Sequence, residues 1–210
     1  MKFLLDSKAL WKFAWLFVLT YGLLIAPWPN WNDFCSGYYR AMCNATLTHL
    51  PGDMILRFEK TTVRLRPNLS TSISIGNERK IDRQGRYPAT VLQSDTRALA
   101  WTPTALLVAL ILATPLTWKR KLWALALGLL VIHAYILLIT ALWIINRSTE
   151  VALVTLTGWQ KDFAEALEYT FVEQLGISFV IPVLLWFLVM LYLEKAGIFE
   201  PSGGQFQKGR

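Results

Sequence analysis

The sequence predicts an α-helical integral membrane protein with four transmembrane helices, a small β-rich extracytoplasmic domain and an amphipathic outer helix. The chain of 210 residues is 54% hydrophobic and 17% charged, against roughly 25% charged residues in an average soluble domain. Four apolar runs each approach the length of about 20 residues that a bilayer crossing requires. Several of the ten tryptophans stand at the ends of these runs, where an amphipathic ring favours the headgroup zone. The lipid bilayer is therefore the first expected partner.

The first apolar run follows a short N-terminal stretch that contains three lysines. It continues through large residues into residues 26–29 without a small-x-small cleavage site, which favours an uncleaved signal anchor over a cleaved signal peptide. Alternating crossings then divide the chain into nine predicted segments. They are a cytoplasmic N-terminus (1–12), the anchor (13–29), an extracytoplasmic β-rich domain (30–100), a second helix (101–118), a cytoplasmic turn (119–121), a third helix (122–145), an outer amphipathic helix (146–174), a fourth helix (175–193) and a cytoplasmic tail (194–210).

Residues 30–100 form the largest polar segment of the chain. Short runs rich in β-branched and apolar residues alternate there with Pro, Gly and Asn breakers, which predicts strands. The predicted strands are 54–58, 61–65, 71–75 and, as a possible fourth, 87–92. We expect a small antiparallel sheet with one buried face, which needs support from neighbouring elements because so few strands are marginal alone.

Two apolar runs, 101–118 and 122–145, are separated by the basic triplet Lys119, Arg120 and Lys121. Short basic loops are retained on the cytoplasmic side of a membrane, so the triplet is the predicted topology signal. The predicted location is the cell inner membrane, with several crossings and with both termini cytoplasmic. Ten Lys and Arg residues lie in 30–100, but loops longer than about 60 residues escape the positive-inside rule.

The segment 146–174 has apolar residues at spacings of three and four, with acidic residues between them, which predicts an amphipathic helix. The apolar positions are Leu156, Trp159, Phe163, Leu167 and Phe171. This helix is expected either flat on the lipid interface or against the sheet. The last apolar run contains Pro182, which should kink it.

Cys35 and Cys43 are the only cysteines, and both follow the first apolar run. In an oxidising compartment they could form a disulfide, which would stabilise the fold by about 2–3 kcal/mol through loop entropy; the alternative is two unpaired thiols. Two cysteines without clustered His, Asp or Glu do not make a metal site. The pattern predicts no catalytic residues, no metal and no cofactor.

His133 is the one ionisable residue that the sequence places near the middle of a predicted crossing. Such residues are functional candidates by default. Because none of the four apolar runs contains Asp, Glu, Lys or Arg, we expect a neutral imidazole that contacts a neighbouring helix or subunit through a hydrogen bond. A role in binding haem or another ligand is the alternative.

The net charge of +7 raises nucleic acid as a partner. The basic residues are spread over several loops, without a basic helix or an aromatic platform, so the sequence argues against nucleic-acid binding.

Two short stretches carry a resemblance to known proteins. One is Leu112-Ala113-Thr114-Pro115 before the basic triplet, and the other runs from Trp159-Gln160 through Tyr169 to Pro182-Val183-Leu184-Leu185-Trp186. With these stretches, the chain resembles bacterial exosortase-associated membrane proteins of the H type. The resemblance implies an inner-membrane protein of a Gram-negative bacterium that assists a transpeptidase-like membrane protease in processing C-terminal sorting signals. Cys35, Arg40 and His133 do not form the exosortase motif, so no catalysis is implied.

The sequence-based hypothesis for function is a non-catalytic accessory or assembly subunit that binds a larger membrane protein. Two alternatives remain open. One is a junction or adhesion protein of the claudin type, which resembles this chain in length, predicted helices and a Cys pair in the first outer loop. The other is a membrane enzyme that uses Cys35 or His133.

Overall fold

A computed structural model describes residues 7–48, 54–61, 70–81, 83–170 and 177–195. Within these ranges the protein is mostly helical, with one three-stranded sheet. The helices are α1 (Ser7–Ile25), α2 (Trp31–Thr46), α3 (Thr102–Ala113), α4 (Trp118–Ser148), α5 (Trp159–Glu168) and α6 (Ile177–Lys195), and the strands are β1 (Met54–Lys60), β2 (Thr71–Asn77) and β3 (Ala89–Ser94).

Helix α3 is the centre of a helical bundle. Nine of its twelve residues are buried, because α1, α4 and α6 all pack against it. Helix α4 approaches α3 closely at Gly128, where an added Cβ would lie 3.0 Å from Ile111 Cδ1. Ile111 and Leu107 are fully buried at this contact. A closely packed apolar core is sensitive to the loss of a single methylene group.

The prediction of four transmembrane helices is wrong, because only two of the described helices, α1 and α4, are long and apolar enough to cross a membrane. The predicted crossing 101–118 ends early: Thr114 is extended, since a residue before proline avoids the α-conformation. The continuous helix from Arg97 to Ala113, a π-helical stretch (Arg97–Trp101) followed by α3, extends about 25 Å, short of the roughly 30 Å hydrocarbon core. The predicted crossing 175–193 begins outside the described residues.

Helix α1 ends at Ile25, two residues before Pro27. The last carbonyl groups of a helix have no partner within the helix. Here the Trp28 indole donates to Leu23 O at 2.8 Å and the Trp101 indole donates to Leu24 O at 3.0 Å. The Arg97 guanidinium donates to Ile25 O. The bonds from Trp101 and Arg97 attach the segment just before α3 to the end of α1, whereas the bond from Trp28 is local to that end.

Residues 30–100 are not only β-rich, because α2 occupies sixteen of them. The buried residues Cys35, Tyr39 and Cys43 recur at every fourth position, and buried Leu47 follows the helix with the same spacing. This period is that of an amphipathic helix. We call α2 together with β1, β2 and β3 the head.

The sheet is antiparallel in the order β1-β2-β3. Phe58, Ile73 and Leu92 are cross-strand neighbours, and all three are buried. The neighbouring row, Arg57, Ser74 and Val91, is on the opposite face because side chains alternate along a strand. The possible fourth strand predicted at 87–92 corresponds to β3, which is shifted to Ala89–Ser94. Most of the predicted strand 61–65 lies outside the described residues.

The predicted amphipathic helix 146–174 is wrong in its extent. Helix α4 continues to Ser148, turns follow, and α5 covers only Trp159–Glu168. Ala152 and Gly158 both have positive φ, 53° and 52°, a conformation that interrupts a right-handed helix. Helix α5 packs against α4. The expected positions were the lipid interface and the sheet. Residues 171–176, which include Phe171, lie outside the described residues.

The two ends of the bundle differ. At one end, Tyr39 Oη of the head lies 3.0 Å from Thr140 Oγ1 of α4. At the other end, the ring of Trp186 contacts Phe13 of α1, and its indole nitrogen donates to Thr114 Oγ1 at 2.9 Å. The N-terminal part of α1 therefore lies at the end opposite the head.

Candidate functional site

The predicted disulfide between Cys35 and Cys43 is absent, because both thiols are free and buried. Eight residues of one continuous helix separate their Cα atoms by about 12 Å, whereas a bridge requires less than about 7 Å. Burial raises the pKa of both thiols, and that of Cys43 reaches about 12. The thiolate is the nucleophilic form of cysteine, so their environment opposes nucleophilic chemistry.

His133 lies on α4. We expected it to form a hydrogen bond with a neighbouring helix or subunit, but its bond in the structure is within α4. Its Nδ1 lies 2.6 Å from the Leu129 carbonyl oxygen on the same helix, and a carbonyl oxygen only accepts, so Nδ1 carries the proton. Its ring meets the Tyr38 ring edge to face, with centroids 5.6 Å apart. His133 and Cys35 line one small cavity of about 50 Å³. Thr140, which the sequence analysis missed, makes the hydrogen bond between α4 and α2.

The basic triplet lies in the first turn of α4 rather than in a loop. The Lys121 ammonium donates to Leu112 O near the end of α3 and lies 5.7 Å from the centroid of the Trp118 ring. Lys121 therefore also caps a helix end. Nothing in the structure tests the role of Lys119, Arg120 and Lys121 as a topology signal.

A polar cluster joins α4, α5 and the sheet, and we call it the junction. Its residues are Trp143, Asn146, Arg147, Glu150 and Glu168. The Glu168 side chain is only 10% exposed and accepts from the Trp143 indole at 3.1 Å, from Arg147 Nε at 3.1 Å and from the Asn146 amide. Donors from three residues thus hold its oxygens, and these bonds anchor α5 to α4.

Arg147 links the junction to the sheet through Glu150. Its guanidinium also donates to Glu150 at 2.9 Å, and Glu150 accepts from Thr90 Oγ1 of β3 at 2.8 Å. The hydrogen bond from Arg147, followed by the one from Thr90, lowers the pKa of the Glu150 carboxyl group. A second link is Asn77, whose amide donates to the Val151 carbonyl oxygen at 2.9 Å. The orientation of the head relative to α4 is therefore fixed by side-chain hydrogen bonds.

An apolar cavity of about 250 Å³ lies between α4 and α5. Leu142 and Trp143 of α4 line one side, and Trp159 and Phe163 of α5 line the other. Trp159 is 74% exposed. The junction closes one side of this cavity through Glu168.

Among the described residues, no group of three or more His, Cys, Asp and Glu side chains could hold a metal ion. No family model, curated protein or solved structure matches this chain. The sequence signals for the junction were weak: Glu168 occurs as one acidic residue among several on α5, and its partners lie 18 or more residues away along the chain.

Proposed function

We propose that this chain is a non-catalytic accessory or assembly subunit of a complex in a bacterial inner membrane, where it binds a larger membrane protein of the exosortase type. The identity of that partner rests on the resemblance of the two motif stretches. The accessory role rests on the exposed apolar surface and on the firmly attached head.

The observation that carries the proposal is helix α1. It is long and apolar enough to cross a membrane, yet none of its residues is buried. It packs mainly against α3, while Trp11 and Trp15 are about two-thirds exposed, at 68% and 67%. An exposed apolar surface that runs along a whole helix needs lipid or another membrane helix to cover it.

The proposed topology has the N-terminus, the basic triplet and the C-terminal tail on the cytoplasmic side, with the head on the outer side. Its support is that Lys121 and the N-terminal part of α1 lie at the same end of the bundle, opposite the head. Helix α3, which is too short to be a crossing by itself, connects the head to the basic triplet inside the bundle, packed between α1, α4 and α6.

Two experiments test the proposal. Affinity purification of the full chain from its native membrane in mild detergent should recover a larger membrane protein in a stable ratio; purification as a lone chain would contradict the accessory role. Fusions of a periplasm-active reporter after residue 80 and after residue 210 should be active and inactive, respectively. The opposite pattern would reverse the topology.

A membrane enzyme is the second candidate, because Cys35 and His133 line the same cavity. The raised pKa of the Cys35 thiol argues against it. Loss of a defined activity in Cys35→Ala and His133→Ala, with the thermal unfolding midpoint unchanged, would favour the enzyme over the accessory subunit.

A further inference from the structure

The two outer edges of the head sheet differ in how they are protected. The outer edge of β1 is covered by α2: the Asn44 amide donates to Phe58 O at 3.2 Å and accepts from Phe58 N at 3.3 Å. The Asn44 side chain thus satisfies both backbone groups of Phe58, which a further strand would otherwise bind. Strand β1 also carries Arg57, Glu59 and Lys60, and charged residues discourage strand pairing at an edge.

The direction of the free backbone groups on β3 follows from the register. Asn77 N donates to Pro88 O at 3.1 Å, so this pair is of the hydrogen-bonded kind, and such pairs alternate along an antiparallel ladder. Thr90, Leu92 and Ser94 therefore direct their backbone groups toward β2. Ala89, Val91 and Gln93 direct theirs away from it.

Among the residues that the structure describes, strand β3 has neither the side-chain cover nor the charged residues that protect the β1 edge. Its sequence, ATVLQS, contains no charged residue and no proline, and β-branched Val91 at its middle is 55% exposed. Within the described part of the chain, β3 pairs only with β2. An uncharged, extended edge of this kind is a template for another strand.

We propose that the outer edge of β3 binds an extended segment of the partner protein as a fourth strand, through the backbone N–H and C=O groups of Ala89, Val91 and Gln93. This inference rests on the proposed function for the origin of the segment, but the edge itself can be tested without the partner. A β-branched residue opposite Val91 is expected, since cross-strand pairs of such residues stabilise a sheet.

The probe is a fluorescent eight-residue peptide of alternating Thr and Val, added to the full chain in detergent micelles. Its control is the same peptide with N-methyl groups on alternate residues, which removes the donors along one edge. We expect the first peptide to bind with an anisotropy increase and the second to bind at least about fivefold more weakly, since each lost backbone hydrogen bond weakens binding several-fold.

The matched variants are Val91→Pro and Lys60→Pro, which remove an outward N–H from the β3 edge and from the β1 edge, respectively. Val91→Pro should reduce peptide affinity at least about fivefold, whereas Lys60→Pro should leave it within about twofold. Val91→Lys retains the backbone and adds an edge charge, so it should also weaken binding if the proline variant fails to fold. Equal affinities of the wild type, Val91→Lys and Val91→Pro, or no binding of either peptide, would overturn the proposal.

The partner supplies an independent comparison. If the wild type and Val91→Lys recover the same amount of partner from membranes, the partner binds elsewhere and the edge proposal fails while the accessory role stands. If no partner is recovered but the peptide binds through β3, the accessory role fails and the edge proposal stands. A disulfide between two Val91→Cys chains that displaces the peptide would identify a second copy of this chain as the occupant and overturn the proposal.

Discussion

The bundle and the head share one apolar core but differ in how much they rely on polar side chains. In the bundle, the apolar residues of α3 are buried against three other helices, and few polar groups take part. In the head and at its attachment, side chains such as Asn44, Tyr39 and Glu168 each bond to a defined partner. The comparison teaches that apolar packing joins the bundle and the head in one core, whereas a small number of polar bonds adds defined contacts at the attachment of the head.

The largest expected effect is in the bundle. Ile111→Ala removes a fully buried side chain at the α3–α4 contact beside Gly128 and should destabilise the protein by about 2–5 kcal/mol through lost burial and a cavity. Leu122→Ala, at an exposed position of α4, is the control and should change stability by less than about 0.5 kcal/mol. Denaturant unfolding in micelles measures both; equal effects would show that α3 is not the packing centre.

A smaller effect is expected at the junction. Glu168→Ala leaves the Trp143 and Asn146 donors without their acceptor, which should cost about 1–3 kcal/mol; the partly exposed Arg147 adds little, because solvent screens it. Glu165→Ala removes only an exposed pair with Lys161 at 3.8 Å and should cost less than about 1 kcal/mol. Limited proteolysis between α4 and α5 should accelerate in the first variant alone. Unchanged cleavage would remove the junction as the anchor of α5.

Within the head, Asn44→Ala tests whether one amide protects the β1 edge. It should cost about 1–2 kcal/mol and increase hydrogen exchange at the Phe58 amide, because that N–H loses its acceptor. Asn32→Ala, an exposed position of the same helix, is the control. If exchange at Phe58 is the same in both variants, the edge is closed by something other than Asn44.

The smallest expected effect is a pH dependence of the head attachment. Because Arg147 and Thr90 lower the pKa of Glu150 below its ordinary value of 4.5, the folded protein holds this proton more weakly than the unfolded chain. The resulting stability is fully present above pH 4.5 and is lost as the pH falls through the lower, folded pKa. The unfolding midpoint should fall less between pH 5 and pH 3 in Glu150→Gln than in the wild type. An identical decrease would assign the acid sensitivity to other groups.

Much of the secondary structure could be predicted from local patterns. The apolar runs of α1 and α4 and the alternation in β2 were read correctly because each signal lies within one segment. Helix α2 was missed although Cys35, Tyr39 and Cys43 have helical spacing, since residues 30–100 were expected to form a β-rich domain. The junction could not be predicted, because Glu168 and Arg147 are 21 residues apart and nothing local pairs them.

The sequence by itself determined which segments are apolar and that the segments of α1 and α4 are long enough to cross a membrane. Only the tertiary structure decided that α3 is a buried central helix and not a further crossing, that the two thiols lie on one helix, and that β3 is the unprotected edge. The physical reason is that hydropathy and backbone preferences act over a few residues, whereas burial and hydrogen-bond partners depend on which distant segments meet.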